Sequence, residues 1–108
     1  MSDDLFNLIY NKSLDLLSRR EHSRKELKEK LLLRFQSDDM IQTVLDKLET
    51  NNLINELRFA EAYTRSRKRK GFGPKKIFYE LSAKGVNESV SNQVILDEGN
   101  WDKVAKAA

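Results

Sequence analysis

The chain has 108 residues, of which 39% are hydrophobic and 34% charged, with one proline, four glycines and no cysteine. This composition excludes a disulfide-bonded scaffold and a thiolate metal site, and its mixed charges favour helices with solvated faces over disorder or a β-sandwich. The N-terminus lacks the pattern of a signal peptide, and no apolar run reaches the ~20 residues that span a bilayer, so we expect a cytoplasmic protein without a membrane segment.

The positive charge is concentrated in the second half of the chain. Residues 1–54 carry nine basic and ten acidic side chains, whereas residues 55–108 carry eleven basic and seven acidic ones. Such a field favours a polyanion or an acidic protein surface as the partner.

Three helices are predicted in the first half. Apolar spacing near 3.6 indicates one over residues 4–20, the capping-box sequence of residues 23–26 begins a second, and Ser37-Asp38-Asp39 begins a third that ends at Asn51-Asn52. The expected core positions are Leu5, Leu8, Ile9, Leu16 and Leu17 in the first helix, Leu27, Leu31 and Phe35 in the second, and Met40, Ile41, Val44, Leu45 and Leu48 in the third.

Three further helices are predicted in the second half. Asn55 caps the fourth, Gly71-Phe72-Gly73 interrupts it, and Pro74 sits at the first position of a fifth that runs to Gly85. Asn87 caps the sixth, which Gly99 ends. The expected apolar positions are Phe59, Ala62, Tyr63 and Ser66 in the fourth helix, Ile77, Phe78 and Leu81 in the fifth, and Val90, Val94, Ile95 and Leu96 in the sixth.

These elements repeat with an offset of 50 residues. Leu27 corresponds to Ile77, Leu31 to Leu81, and the capping Ser23 to Gly73. We therefore predict an all-α fold of tandem three-helix repeats that form an elongated, curved modular rod. The repeats are expected at residues 1–54 and 55–99, with residues 100–108 as the first helix of an incomplete third repeat.

A run of cations is the main functional lead. Residues 65–76 contain seven basic side chains and no acidic one. We predict a partner-binding basic face, for which arginine offers bidentate contacts to carboxylate or phosphate. The alternative is a solvated helix end whose cations favour the helix C-terminus. The candidate residues are Arg58, Arg65, Arg67, Lys68, Arg69, Lys70, Lys75 and Lys76.

Two aromatic residues beside this run have open roles. Phe72, flanked by glycines, either contacts a partner or folds back onto the next helix. Tyr79 is adjacent to the apolar stripe and is placed to face the basic side, whereas Phe59, Tyr63, Phe78 and Trp101 are expected in the core.

No catalytic, metal or cofactor site is predicted. His22 has no second histidine or cysteine near it and is expected to be exposed in a loop, and Asp38 and Asp39 are interpreted as helix-start carboxylates. No Ser/His/Asp or Cys/His set can be assembled, and the Gly71-Phe72-Gly73 segment is not a dinucleotide fingerprint. We expect a protein that is not an enzyme.

Three motifs in the same order resemble the RecX family of regulatory proteins. They are Ser-Arg-Lys-Glu-Leu-Lys-Glu-Lys-Leu at 23–31, Leu-Arg-Phe-Ala-Glu-Ala-Tyr at 57–63 and Gly-Phe-Gly-Pro-Lys-Lys-Ile-Phe-Tyr-Glu-Leu-Ser-Ala-Lys-Gly-Val at 71–86. The sequence departs from the family pattern at Arg34-Phe35-Gln36, where a Lys-Gly-Ile turn is usual, and at Asn55-Glu56, where an acidic pair is usual. Family members commonly have a complete third repeat, so the chain is expected to be a fragment or a short member.

The resemblance implies a monomer that binds the RecA recombinase, lies in the groove of its nucleoprotein filament and inhibits ATP hydrolysis, strand exchange and filament growth. The residues alone leave two other classes open. One is a helical module that binds single- or double-stranded DNA directly through backbone contacts, and the other is a helical scaffold.

Overall fold

The computed structural model describes residues 2–101, in which six α-helices occur and no residue lies in a strand. The contacts divide the chain into two compact units, Met1–Asn55 and Glu56–Ala108, called here the first and second units. The predicted all-α fold with successive three-helix domains is confirmed. The helices are Ser2–Arg19 (α1), Arg24–Leu32 (α2), Asp38–Thr50 (α3), Glu56–Arg69 (α4), Pro74–Ala83 (α5) and Glu88–Glu98 (α6). Of the predicted third repeat, Asn100 and Trp101 are described and Trp101 is helical, whereas residues 102–108 lie outside the described residues.

Each unit has its own hydrophobic core. In the first unit, α1, α2 and α3 all pack against one another. In the second unit, α4 and α5 each pack against α6 and against each other. The buried residues are Ile9, Leu27, Leu31, Ile41, Val44, Leu45, Leu48 and Ile54 in the first core, and Phe59, Ala60, Ile77, Leu81, Val86 and Val94 in the second.

Local capping chemistry sets where the helices begin. Ser23 accepts a hydrogen bond from the Glu26 backbone N–H while the Glu26 carboxylate accepts from the Ser23 N–H, which completes the predicted capping box. Ser37 caps α3 and Asn87 caps α6 through their side-chain oxygens. Pro74 occupies the first turn of α5 after Gly73, so that Gly73 stands where Ser23 stands in the first unit.

Three of the helices end at a residue whose backbone has the left-handed conformation. Asn52, Gly71 and Gly85 have φ of 58°, 95° and 84°, and each is followed by a backbone N–H that bonds five residues back. This is the Schellman arrangement, which satisfies the last carbonyls of a helix. The end of α2 is different, since Arg34 and Phe35 both donate to the Leu31 carbonyl and no described residue there has positive φ.

Two apolar residues expected in the core are on the surface. Leu8 and Leu96 are 59% and 73% exposed. In α1, the small Ser13 takes the buried position one turn after Ile9 and donates its hydroxyl to the Ile9 carbonyl at 2.8 Å. The apolar spacing of α1 therefore predicts a wider buried side than the helix has in the structure.

The prediction that His22 is exposed is wrong. Its side chain is 1% exposed, with Nδ1 3.1 Å from the Arg20 carbonyl and Nε2 2.9 Å from the Lys30 ammonium. Because an ammonium has only donors, Nε2 must accept from Lys30, and Nδ1–H then donates to the carbonyl. Desolvation lowers the pKa of His22, and the nearby Arg20 and Lys30 charges oppose its protonation further. The imidazole is a neutral structural link between the α1–α2 loop and α2.

Acidification is expected to destabilise the first unit through His22. A histidine whose pKa is lowered by folding contributes fully above its unfolded pKa, about 6.5, and loses that contribution as the pH falls below this value. The loss is at most about 1.4 kcal/mol per pH unit for one proton. Urea unfolding of the wild type and of His22→Gln at several pH values between 7.5 and 5 measures this loss of stability. Parallel pH dependences of the two proteins would contradict this role.

Candidate partner-binding face

The cations of α4 do not share one environment. The buried residues of this helix are Phe59, Ala60 and Thr64, with Tyr63 packed against the same core. Arg67 is one turn after Tyr63 and therefore follows the inner side of the helix. Arg65 and Arg69, which lie one turn apart on another side, are exposed. The predicted basic face is thus divided by the packing of α4.

Arg67 is held by α5 and is only 22% exposed. Its Nε and Nη2 atoms donate to the two Glu80 oxygens at 2.9 and 2.8 Å, and the Tyr63 hydroxyl donates to the same carboxylate at 3.0 Å. Partial burial alone would raise the pKa of Glu80, but the hydrogen bonds from Arg67 and Tyr63 outweigh it and lower the pKa. The bonds to Glu80 likewise raise the pKa of Arg67. This bidentate pair joins α4 to α5.

Phe72 packs against the second core, as expected if this turn residue folds back onto its own unit. The Arg67 guanidinium lies 3.8 Å from the centre of its ring, and the Lys76 ammonium lies 5.3 Å from it. Both distances suit cation–π attraction. Gly71 makes this possible, because its positive φ closes α4 and turns the following residue toward the helix it has just left.

Lys68 is also held within the second unit. Its ammonium donates to the Gly99 carbonyl at 2.6 Å and lies 5.3 Å from the centre of the Trp101 ring. The Trp101 indole N–H donates to the Ile95 carbonyl at 2.8 Å, and Trp101 packs against the second core, as predicted. Lys68 therefore connects the end of α4 to the segment that follows α6 through these two contacts.

The remaining candidate residues differ in their burial and in the carboxylates near them. Arg58 is partly buried, and Arg65 lies beside a small polar cavity of about 160 Å³ that Asp97 and Glu98 also line. Those carboxylates reduce the positive potential at Arg65. The exposed cations at the end of α4 and the beginning of α5 do not line that cavity, and together we call them the exposed basic cluster. It consists of Arg69, Lys70, Lys75 and Lys76.

Glu80 is the residue at the candidate face that the sequence reasoning missed, and it joins α5 to α4. It lies just beyond the acid-free run of 65–76, four residues after Lys76 on the same helix. That i,i+4 spacing signals a carboxylate on the side of α5 that meets the cations. Its pairing with Arg67 engages one of the four arginine candidates of the predicted basic face within the second unit.

No group of three or more potential metal-ligating side chains occurs among residues 2–101. In the same part of the chain, no helix is both long and apolar enough to cross a bilayer.

Two family models match the chain, one on each unit. The model described as RecX, first three-helix domain, matches residues 10–48, and the model described as RecX, second three-helix domain, matches residues 55–95. The second match contains all eight residues of the predicted basic face.

Curated relatives agree with these matches. The chain is 41% identical over 90 residues to the regulatory protein RecX of Pseudomonas putida strain W619, and covers 58% of that relative. It is 42% identical over 96 residues to that of Halorhodospira halophila, of which it covers 60%. The chain thus spans about 60% of the length of these curated relatives.

A solved structure is similar over both units. The crystal structure of RecX from Lactobacillus salivarius superposes with a TM-score of 0.81 at 31% identity, covering 96% of this chain and 66% of that one. Sequence motifs, both three-helix domains and the fold therefore agree, and the chain belongs to the RecX family.

Proposed function

We propose that the chain is a regulatory protein that binds the RecA recombinase in the groove of its nucleoprotein filament. Binding there inhibits ATP hydrolysis, strand exchange and filament extension during DNA repair. The protein acts in the cytoplasm as a monomer, by occupying the groove and without chemistry of its own. The relatives are named regulatory proteins, which supports the regulatory class. The RecA partner rests on the motifs at 23–31, 57–63 and 71–86.

The observation that carries this proposal is the exposed basic cluster. Its four cations lie within eight residues, from the end of α4 to the first turn of α5, and all four are exposed. The Arg67–Glu80 pair and the Phe72 ring fix the α4–α5 junction that presents them. A filament groove offers DNA phosphates together with protein carboxylates, and both are partners for a preorganised group of cations.

Co-sedimentation separates filament binding from DNA binding. The protein is mixed with preassembled RecA–DNA filaments or with the same DNA alone at two salt concentrations, and ATP hydrolysis is followed in parallel. We expect binding to filaments with reduced hydrolysis, and weak binding to naked DNA. Tight binding to naked DNA without any effect on filaments would instead assign the protein to the class of direct DNA-binding modules.

Removing two cations of the exposed basic cluster is expected to weaken filament binding. For a protein that neutralises about five phosphates, the log–log salt slope is about −4 to −5, and each lost phosphate contact makes it shallower by about one. Arg69→Ala/Lys70→Ala should therefore change the slope by about two if both cations meet phosphates. A smaller change with the same loss of affinity indicates that they meet protein carboxylates.

A matched control removes two cations from the first unit. Arg34 and Lys47 are exposed there, so Arg34→Ala/Lys47→Ala changes the net charge by the same amount. We expect this variant to bind filaments nearly as the wild type does. Equal losses in the two double variants would show that net charge, and not the exposed basic cluster, determines binding.

A further inference from the structure

The outer side of α5 carries an exposed aromatic ring beside two lysines. Tyr79 is 62% exposed, whereas Ile77 and Leu81 on the opposite side of the helix are fully buried. Lys75 and Lys76 precede Tyr79 by four and three residues, and Ala83 follows it by four, so these side chains share its side of the helix. An open cavity of about 580 Å³ is lined by Lys75, Lys76, Tyr79, Glu80 and Ala83.

The lining of this cavity is apolar with a positive edge. The Tyr79 ring, the Ala83 methyl group and the lysine stems supply apolar surface, because lysine covers its surroundings with its methylenes while its ammonium stays in water. The Glu80 carboxylate is already paired with Arg67 and Tyr63. The two ammonium groups, both in the first turn of α5, are therefore the charges that remain for a ligand at this edge.

We propose that the cavity binds an acidic protein segment of the filament, with an apolar side chain against Tyr79 and an adjacent carboxylate against Lys75 and Lys76. This inference rests on the proposed function and names the chemistry of the contact. An exposed tyrosine surrounded by apolar surface is typical of the residues that dominate protein interfaces. Two cations confined to one helical turn match a single carboxylate and do not follow a phosphate backbone. A protein segment therefore fits the site better than a nucleic acid does.

The test measures binding of Tyr79→Ala to preassembled RecA–DNA filaments and to the same single-stranded DNA alone. We expect filament affinity to fall about tenfold or more, as for truncation of an interface tyrosine, with DNA affinity unchanged. Tyr79→Phe retains the ring and should bind within about twofold of the wild type, since the apolar contact dominates. Lys75→Gln/Lys76→Gln should weaken filament binding and reduce its salt dependence.

Leu96→Ala is the matched control, because Leu96 is 73% exposed on α6 of the same unit and lines no part of the cavity. It should bind as the wild type does, and far-ultraviolet circular dichroism should show both variants folded. Wild-type affinity of Tyr79→Ala for filaments would overturn this inference and leave the proposed function intact. Parallel losses on filaments and on naked DNA would also overturn it, in favour of base stacking. Failure of the wild type itself to bind filaments would overturn the proposed function.

Discussion

Phe59→Ala is expected to lower the free energy of unfolding of the second unit by about 3–5 kcal/mol, the usual cost of truncating a buried phenylalanine. The Phe59 side chain is 1% exposed, and it stacks on Tyr63 with ring centres 5.7 Å apart. It belongs to the core that α4, α5 and α6 share. A core of this size has few residues that can move into the cavity that the substitution leaves.

Leu57→Ala is the control for this substitution. Leu57 lies two residues earlier on α4 and is 50% exposed, so its truncation should change the stability by less than about 1 kcal/mol. Thermal and urea unfolding followed by circular dichroism compare the two variants. Equal destabilisation would show that α4 buries a different side from the one described.

Arg67→Ala is expected to lower the stability of the second unit by about 2–3 kcal/mol, because hydrogen bonds to a charged group are worth more than neutral ones. The substitution removes both bonds to Glu80 and the guanidinium above Phe72. It also leaves a partly buried carboxylate with fewer donors. Arg67→Lys should restore little of the loss, since an ammonium cannot reproduce the bidentate pair.

The same variant should change the acid sensitivity of the protein. Folding lowers the pKa of Glu80, so its contribution is present above the ordinary glutamate pKa and is lost as the pH falls through the folded value. Without Arg67 this loss on acidification should shrink. Unfolding measured between pH 6 and 3 tests it, with Arg69→Ala as the control because Arg69 is exposed two residues away. An identical acid dependence in the wild type and Arg67→Ala would contradict the assignment.

The features that the sequence predicted well depend on neighbouring residues. The capping box at Ser23, the caps at Ser37 and Asn87, and Pro74 in the first turn of α5 each involve groups within one turn of the helix. Such chemistry is complete in a short stretch of sequence, and it divides the chain into the correct six helices.

The features that could not be predicted depend on partners from another element. Arg67 and Glu80 are 13 residues apart and meet only because α4 and α5 pack together. Likewise, His22 meets Lys30 across eight residues of loop and helix. Periodicity also could not tell that Leu96 faces solvent, since the buried side of α6 is decided by its contacts with α4 and α5. The predicted basic face therefore included residues, such as Arg67, whose contacts stabilise the second unit.

The division of one cation run between the interior and the surface affects how the protein can evolve. Arg67 and Lys68 maintain the second unit, whereas Arg69 and Lys70 directly after them meet solvent. Under the proposed function, we expect substitutions at these exposed positions to change the attraction of a charged partner while the folded population stays constant. On that basis, we expect binding strength to be adjustable at residues 69 and 70 without compensating changes in the core.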